Sequence, residues 1–378
     1  MEWLLMKYRK TSKAKAVAFA ACAGALLVWL GCHRPSQSHA QALIKLWTAD
    51  FSGDRDFHKR ANVPEADLAS PFIHFLTNSR LICDFYDPET TDRNSVSREP
   101  SYHVLEIDAN KGTFGRKLDF KSITERSKTL ATADGGFVVL NGETLNKFDS
   151  QFNLSATFPT PVDSWTEKHD VWLLDAAPSG HTLLLYHRNA DKENGEWTWL
   201  RTTDLSVINS RLGPRANTIG ASDTAGLSGL IATTLFSSDR SIPVCDLCIA
   251  HFLSNDALFL DRQREYSIQT IAGKQIASGG LNVEANDFSR SMATTRIAYS
   301  TSHYVGSGFP VQTNFNAVSS NIIVLDWSTN KRLAELEIDE PVVDNPSVGF
   351  KQMALALSPD GQYLAVLLHR TLTLYRLP

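Results

Sequence analysis

Cysteines offer the most specific chemistry in this chain. Cys245-Asp246-Leu247-Cys248 places two thiols three residues apart, and Cys83 is the third cysteine after residue 42. Cysteines pair in an oxidising compartment, so an odd number leaves one thiol over. We expect a Cys245–Cys248 disulfide, which requires a turn there, because residues i and i+3 of a regular strand point to opposite faces. Pairing of Cys83 with one of the two, or three buried thiols, are the alternatives.

Haem and metal sites fit these cysteines less well. A c-type haem needs Cys-x-x-Cys-His, and Ile249 stands in the histidine position. Cys245, Cys248 and His251, joined by Cys83, would make a Cys₃His zinc site, but their spacing is shorter than that of a zinc finger. The sequence therefore predicts neither a metal nor another cofactor.

Motifs of nucleophilic catalysis are weak. Ser328-Thr329-Asn330-Lys331 matches the Ser-x-x-Lys pattern of penicillin-recognising enzymes, but that motif opens a helix. Here it lies between two β-rich segments, 322–325 and 333–338, so a hairpin turn is the better interpretation. The His-Glu-x-x-His, Gly-x-Ser-x-Gly and Gly-x-x-x-x-Gly-Lys motifs do not occur in the sequence. We predict no catalytic residue.

The best candidate for a binding surface is the segment 300–318, interpreted as a long loop. Loops on a rigid scaffold often carry function. Tyr304, Phe309 and Phe315, interleaved with glycine and asparagine, suit adaptable contacts to a partner. The alternative is a loop that folds back and covers the strands that it joins.

Residues 1–42 have the layout of an export signal. Basic residues precede an uncharged apolar run, Ala16–Leu30, whose 15 residues are fewer than the roughly 20 of a membrane-spanning helix. Ala40-Gln41-Ala42 offers a signal-peptidase site, whereas Leu30-Gly31-Cys32 resembles a lipobox. Cys32 is therefore either lipidated or removed with the signal. We expect the protein in the periplasm or outside the cell, with any membrane tether at its N-terminus only.

The charge of the remaining chain limits its partners. Residues 43–378 hold 31 Lys and Arg against 40 Asp and Glu, a net charge of −9, and the basic residues are scattered. Such a chain is soluble and repels phosphate backbones, so we expect no nucleic-acid partner. No linker or low-complexity tract divides residues 43–378, which favours a single domain. We expect it to be a monomer.

The organisation of the chain follows from a recurring turn. A cluster of turn-forming residues, which supply the backbone angles of tight turns, precedes an apolar β-rich run seven times. A second polar turn follows downstream, for example in Leu105–Gly112 and Leu325–Lys331. The seven first turns lie at residues 77–80, 133–136, 178–181, 225–226, 254–256, 294–295 and 358–361.

The spacing of these turns predicts the fold. Seven turns over 336 residues give about 48 residues per unit, enough for three or four short antiparallel strands. Units of this size match propeller blades, none of which buries its apolar face alone. We predict an all-β chain with one β-propeller of about seven four-stranded blades over residues 43–378. Helices should be few, because a sustained apolar period of 3.6 residues is absent after the signal.

Ring closure follows from the chain ends. The last unit supplies strands near 353–357, 363–368 and 371–377 and then stops, so one strand is missing. An open ring would expose strand edges that invite aggregation. Leu43–Ala49 has β-rich apolar content. We therefore predict that this first strand of the mature chain completes the last blade.

The last unit also carries a family resemblance. Leu357-Ser358-Pro359-Asp360-Gly361-Gln362-Tyr363-Leu364-Ala365-Val366 resembles the blade motif of bacterial WD-repeat-like propellers, such as the periplasmic Tol-system propeller and quinoprotein amine dehydrogenase β-chains. The other six turns are degenerate copies, and the Gly-His and Trp-Asp pair of true WD repeats is absent from the sequence of every unit. The resemblance implies a propeller fold rather than a particular activity.

These patterns favour a non-catalytic exported propeller that binds a protein or another cell-envelope component as a binding or scaffold module. The alternative is a propeller enzyme of quinoprotein-dehydrogenase-like or lactonase-like type, built around the central channel. Such an enzyme would need acidic or histidine side chains that converge at the inner strand ends. The sequence alone does not identify such a set.

Overall fold

The structure, a computed structural model, describes residues 42–50, 72–87, 101–121, 128–141, 144–160, 170–189, 193–229, 232–237, 241–246, 248–262, 265–281, 285–305, 316–338, 353–368 and 371–378. These residues form 28 β-strands and no helix. In this part of the chain no helix has the length and apolar character needed to cross a bilayer. The predicted export signal and Cys32 lie outside the described residues.

The strands are β1 Ile44–Asp50, β2 Phe72–Thr77, β3 Arg80–Asp87, β4 Ser101–Asp108, β5 Thr113–Lys121, β6 Lys128–Ala131, β7 Phe137–Leu140, β8 Thr144–Phe148, β9 Leu154–Pro159, β10 Asp170–Ala176, β11 Thr182–Asn189, β12 Gly195–Arg201, β13 Val207–Gly213, β14 Thr218–Ala221, β15 Ala225–Gly229, β16 Ala232–Ser237, β17 Ser241–Asp246, β18 Ile249–Ser254, β19 Ala257–Asp261, β20 Glu265–Thr270, β21 Gln275–Gly280, β22 Ala285–Arg290, β23 Arg296–Val305, β24 Asn316–Asp326, β25 Lys331–Ile338, β26 Met353–Leu357, β27 Tyr363–Leu368 and β28 Thr371–Arg376.

The strands form seven four-stranded antiparallel sheets, which are the blades of a β-propeller. Blade 1 is β2-β3-β4-β5, and blades 2 to 6 continue in chain order to β22-β23-β24-β25. Blade 7 has the order β1-β28-β27-β26. The first strand of each blade is the inner strand, and inner strands of successive blades contact one another around the ring, with β26 of blade 7 against β2 of blade 1. The predicted fold class is confirmed.

The core lies between the blades. Seven clusters of buried apolar side chains each join two successive blades, and the set runs once around the ring. Leu81 and Ile107 of blade 1 pack with Leu367 and Leu372 of blade 7, for example. Alternate residues of a strand point to opposite faces of its sheet, so each blade contributes to two clusters. A blade without both neighbours would expose apolar surface, which is why the ring must close.

The N-terminal strand closes the ring as predicted. β1 pairs antiparallel with β28, from Ile44 opposite Arg376 to Asp50 opposite Thr371. Trp47 packs against the cluster between blades 7 and 1. Its indole Nε1 donates a hydrogen bond of 2.7 Å to the carbonyl oxygen of Ala109 in blade 1.

Turns after the inner strands contain a glycine at positive φ in three blades, and in two of them a hydroxyl-to-aspartate hydrogen bond as well. In blade 7, Ser358 Oγ donates to Asp360 Oδ1 at 2.6 Å, and Gly361 has a φ of 67°. In blade 2, Thr132 Oγ1 donates to Asp134 Oδ1 at the same distance, and Gly135 has a φ of 76°. Glycine is favoured here because L side chains rarely adopt such a positive φ. The third case is Gly180 of blade 3, with a φ of 69°.

The turn of blade 4 differs from the sequence prediction. Ala225 and Gly226 are the first two residues of β15 rather than the turn itself, which spans residues 222–224. Ser222 Oγ accepts the backbone N–H of Ala225 at 2.9 Å, so a serine side chain closes this turn without a glycine. The sequence pattern predicts this turn slightly too late, because a glycine after a polar segment is typical of a turn. Gly226 instead lies against the buried ring of Trp197, where a larger side chain would collide.

Candidate functional site

The inner strands surround a central channel with a cavity of about 410 Å³. All seven inner strands contribute to its wall, which combines apolar side chains with several ionisable ones. A cavity of this size falls in the range that holds small ligands. The ionisable lining residues are His74, Lys128, Asp175, His251, Asp287 and Arg290.

Two histidines occupy corresponding places in blades 1 and 5. His74 begins the sequence His-Phe-Leu-Thr-Asn at the end of β2, and His251 begins His-Phe-Leu-Ser-Asn at the end of β18. Both inner strands have an irregularity in their pairing just after this point, between Phe75 and Thr77 and between Phe252 and Ser254. The two copies are therefore alike in both sequence and backbone. The His251 ring also stacks on the ring of Phe288 from blade 6, with centroids 4.2 Å apart.

Arg290 spans the channel. It is the last residue of β22, and its NH1 group donates to the carbonyl oxygen of Phe252 in blade 5 at 3.1 Å. Its NH2 group donates to the carbonyl oxygen of Ala176 in blade 3. Burial lowers the pKa of Arg290 from its ordinary value, and the Asp175 carboxylate opposes this shift. One guanidinium thus links blades 3, 5 and 6 near the end of the channel at which the inner strands finish.

Other side chains tie neighbouring inner strands together at the same level. Asp175 Oδ2 of blade 3 accepts the backbone N–H of Ala221 of blade 4 at 2.8 Å. Ser289 Oγ of blade 6 accepts the N–H of Leu357 of blade 7 at 2.9 Å. Lys128 Nζ of blade 2 donates to the carbonyl oxygen of Leu174 of blade 3 at 2.7 Å. The polar lining is therefore partly structural, because it satisfies backbone groups across blade boundaries.

The two faces of the propeller are built differently. In an antiparallel four-stranded blade, connections from first to second and from third to fourth strand lie on one face, here called the turn face. The other connections lie on the opposite face, here called the loop face. Every residue with positive φ in the described part of the chain lies in a turn-face connection: Gly112, Gly135, Phe152, Gly180, Leu205, Gly273, Asn330 and Gly361.

Turn-face connections also bond to their neighbours. The Ala133 N–H donates to Gly180 O between blades 2 and 3 at 3.1 Å, and the Ala293 N–H to Pro359 O between blades 6 and 7 at 2.9 Å. Between blades 4 and 5, Asn255 Nδ2 donates to Asp223 Oδ2 at 2.7 Å. These tight bonded turns leave little freedom on the turn face. The longest connections, residues 51–71, 88–100, 160–169, 306–315 and 339–352, all join strand ends on the loop face and, apart from Thr160, lie outside the described residues.

The described residues of the predicted binding segment 300–318, which are 300–305 and 316–318, belong to two paired β-strands. β23 continues to Val305 and β24 begins at Asn316, and the two strands pair up to their ends. The interpretation as a loop was wrong for these strand residues, because Ser, Thr and Asn can continue a strand when a partner strand is present. The backbone of Tyr304 lies in β23 and pairs with Ala317. Phe309 and Phe315 lie outside the described residues, in the loop-face connection of blade 6.

The remaining sequence candidates do not line the cavity. Ser328 and Asn330 lie in the turn between β24 and β25, and Ser328 Oγ donates to Asp326 Oδ1 at 2.8 Å. Cys245 is in β17 and Cys248 just before β18, with their sulfurs joined and their Cα atoms 6.0 Å apart, a usual disulfide separation. Cys83 is buried in the cluster between blades 1 and 7. Within the described residues, no three His, Cys, Asp or Glu side chains are grouped to hold a metal ion.

The disulfide gives a direct test. We expect the tryptic peptide from Ser241 to Arg262, which contains both Cys245 and Cys248, to resist alkylation in unreduced, denatured protein. Its mass should be two hydrogens below that of the reduced peptide, and Cys83 should be alkylated in both samples. Mass spectrometry of the tryptic digest, before and after reduction, measures these peptide masses. Alkylation of Cys245 before reduction would contradict the pairing.

Comparisons with known proteins concern the fold. No protein-family model and no curated protein matches the sequence. A chain in the crystal structure of the mitotic checkpoint complex has a TM-score of 0.52 and 13% identity, covering 91% of this chain and 94% of that chain. The C-terminal WD40 domain of Sif2 has a TM-score of 0.46 and 9% identity, covering 90% of this chain and 100% of that chain.

The first of these similarities shows the fold alone, and the second is too distant to add to it. With seven four-stranded blades, the chain has a WD40-like seven-bladed β-propeller fold. The narrower resemblance to Tol-system and quinoprotein propellers stays a prediction.

Proposed function

We propose that the chain is an exported, non-catalytic propeller that binds a protein or another cell-envelope component through its loop face. The difference between the two faces carries this proposal. The turn face consists of short turns bonded to one another, whereas the loop face receives the longest connections, including the segment with Phe309 and Phe315. Long connections on a rigid scaffold are where binding surfaces usually arise. A similar fold occurs in a chain of the mitotic checkpoint complex, which is by name a complex.

Location is the second part of the proposal. The basic stretch and apolar run before residue 42 support export to the periplasm or the cell exterior. Cys32 is either a lipid anchor or lost with the signal. Cell fractionation of the wild-type chain and a Cys32→Ala variant separates these outcomes: a shift from membrane to soluble fraction indicates lipidation, and retention of both in the cytoplasm contradicts export.

Site-specific photo-crosslinking in intact cells tests the loop face. A crosslinking amino acid at Asn217 or Arg262, both exposed on the loop face, should capture one recurrent partner. The same probe at Gln151 or Lys274, exposed on the turn face, is the matched control and should not capture it. Equal capture from both faces, or capture from the turn face alone, would contradict binding through the loop face.

An enzyme built around the channel is the second candidate. One observation favours it: His74, His251, Asp175 and Asp287 from four blades line the same cavity, a convergence that a propeller enzyme needs. Metal analysis and an absorption spectrum of the purified protein distinguish the two functions. Stoichiometric calcium, or a quinone chromophore, would favour the enzyme over the binding module.

A further inference from the structure

Arg290 is a cation in the channel whose hydrogen bonds go to neutral groups. Both bonds end on backbone carbonyl oxygens, those of Phe252 and Ala176. Among the described residues, no carboxylate lies within ion-pair distance of its guanidinium. Asp175 influences it electrostatically from further away, and one oxygen of that carboxylate already accepts the Ala221 N–H.

Arg290 is partly buried, and withdrawing its charge from water has a cost even there. Buried charges are normally paired, because removal from water is compensated only by a counter-charge and by hydrogen bonds. A guanidinium has five N–H donors in a planar fork, and the two bonds of Arg290 leave three of them for another acceptor. Carboxylates match this fork geometrically and neutralise its charge. An anion beside Arg290 would therefore supply what the described side chains do not.

The rest of the wall limits what kind of anion fits. Apolar side chains of Leu130, Ile219 and Leu355 line the cavity from three blades. The stacked pair of His251 and Phe288 adds a flat ring surface. A cavity of about 410 Å³ with such walls has room for an organic body as well as a charged group. A small inorganic ion alone would leave the apolar part unfilled.

The lining of the cavity reaches both ends of the inner strands, with Gly180 and Met292 at the turn-face end and Ile249 at the loop-face end. At the turn-face end the channel is crossed by Arg290 and bordered by the bonded turns. At the other end Ile249, the first residue of β18, lines the cavity and is 48% exposed. A ligand would enter past Ile249 and reach Arg290 at the far end.

We propose that the central channel binds a small organic anion, with a carboxylate at Arg290 and a flat apolar body between His251 and Ile219. The ligand would enter from the loop face, but this proposal does not rest on the partner binding proposed for that face. Lys128 also lines the cavity, as do the carboxylates of Asp175 and Asp287, so the preference for an anion depends on the position of Arg290 rather than on the net charge of the lining. The three features that select the ligand are the negative charge, the flat body and the small size.

Isothermal titration of the full chain with benzoate, benzamidine and acetate tests this proposal. Benzoate and benzamidine have the same flat ring and opposite charge, and acetate has the carboxylate without the ring. We expect benzoate to bind about tenfold or more tightly than either control, because one charge-assisted hydrogen-bonded contact accounts for at least this factor. Equal binding of benzamidine, equal binding of acetate, or absence of benzoate binding would each overturn the proposal. This comparison uses the wild-type protein and needs no variant to fold.

Two variants locate the site. Arg290→Met keeps an unbranched apolar stem and should weaken benzoate binding by about tenfold or more. Ile249→Trp should narrow the mouth and weaken binding while Arg290 stays in place, and its exposed position makes unfolding unexpected. Circular dichroism shows whether each variant is folded. Unchanged benzoate affinity in a folded Arg290→Met protein, or in Ile249→Trp, would place the binding elsewhere and overturn the proposal.

Discussion

Deletion of residues 43–50 is expected to unfold the whole propeller rather than remove one strand. β1 is the fourth strand of blade 7, and its loss exposes the edge of β28 and part of the cluster between blades 7 and 1. Because each blade is covered by two neighbours, opening the ring at one point removes support from both sides. We expect loss of the cooperative thermal transition, measured by circular dichroism at a β-sheet wavelength.

A point variant makes the same test without changing chain length. Trp47→Ala removes the indole that packs between the first and last blades and its hydrogen bond to Ala109. Truncation of a buried tryptophan typically costs about 3 to 5 kcal/mol, and we expect a loss near the lower end because Trp47 is only half-buried. Leu46→Ala is the control, since Leu46 lies on the same strand and is 45% exposed. Equal stability of the two variants would show that β1 does not close the ring.

Asp84→Ala is expected to destabilise the junction of blades 1 and 2 by about 3 kcal/mol or more. The Asp84 carboxylate is 1% exposed and accepts three hydrogen bonds from described residues. The donors are the Phe72 N–H at 2.8 Å, the Thr129 N–H at 3.2 Å and the Tyr102 hydroxyl. Alanine leaves all three donors in the interior without this acceptor, which is the costly case for a buried polar group.

A Tyr102 variant separates the contribution of one donor from that of the whole Asp84 hydrogen-bond network. Burial, and then the Asp84 charge, raise the pKa of Tyr102 well above its ordinary value, so its hydroxyl stays protonated as a donor. Tyr102→Phe removes one donor while keeping the ring, and should cost only about 1 to 1.5 kcal/mol. Asp256→Ala, on an exposed turn, is the control for loss of a carboxylate. Urea unfolding measures the change in the free energy of unfolding for Asp84→Ala, Tyr102→Phe and Asp256→Ala. A loss in Asp84→Ala no larger than in Tyr102→Phe would contradict the three-donor arrangement.

The turn motifs explain why the fold could be predicted from sequence. Ser358-Pro359-Asp360-Gly361 encodes its own turn through the serine-to-aspartate hydrogen bond and a glycine at positive φ. Such interactions are local, so a single sequence shows them. Repetition at blade length then implies that the units must pack on one another. The closing strand was predictable for a related reason: one blade lacked a strand, and Leu43–Ala49 was the β-rich segment left over.

The channel shows the limit of sequence interpretation. His74 and His251 each begin the sequence His-Phe-Leu-Thr/Ser-Asn. This repeat indicates two positions in the channel wall only when β2 and β18 are identified as inner strands. The segment with Phe309 and Phe315 is a second example. Its assignment to the loop face depends on the direction of β23, which the sequence does not show.

The sequence by itself determined the all-β class, the number of blades and the strand that closes the ring, because turn chemistry and apolar alternation act over a few residues. Only the tertiary structure decided that Arg290 crosses to Ala176, a residue 114 positions away, and that charges from several blades surround one cavity. Closure of the ring brings these residues together. Their convergence depends on the register and twist of every blade between them, which no local pattern records.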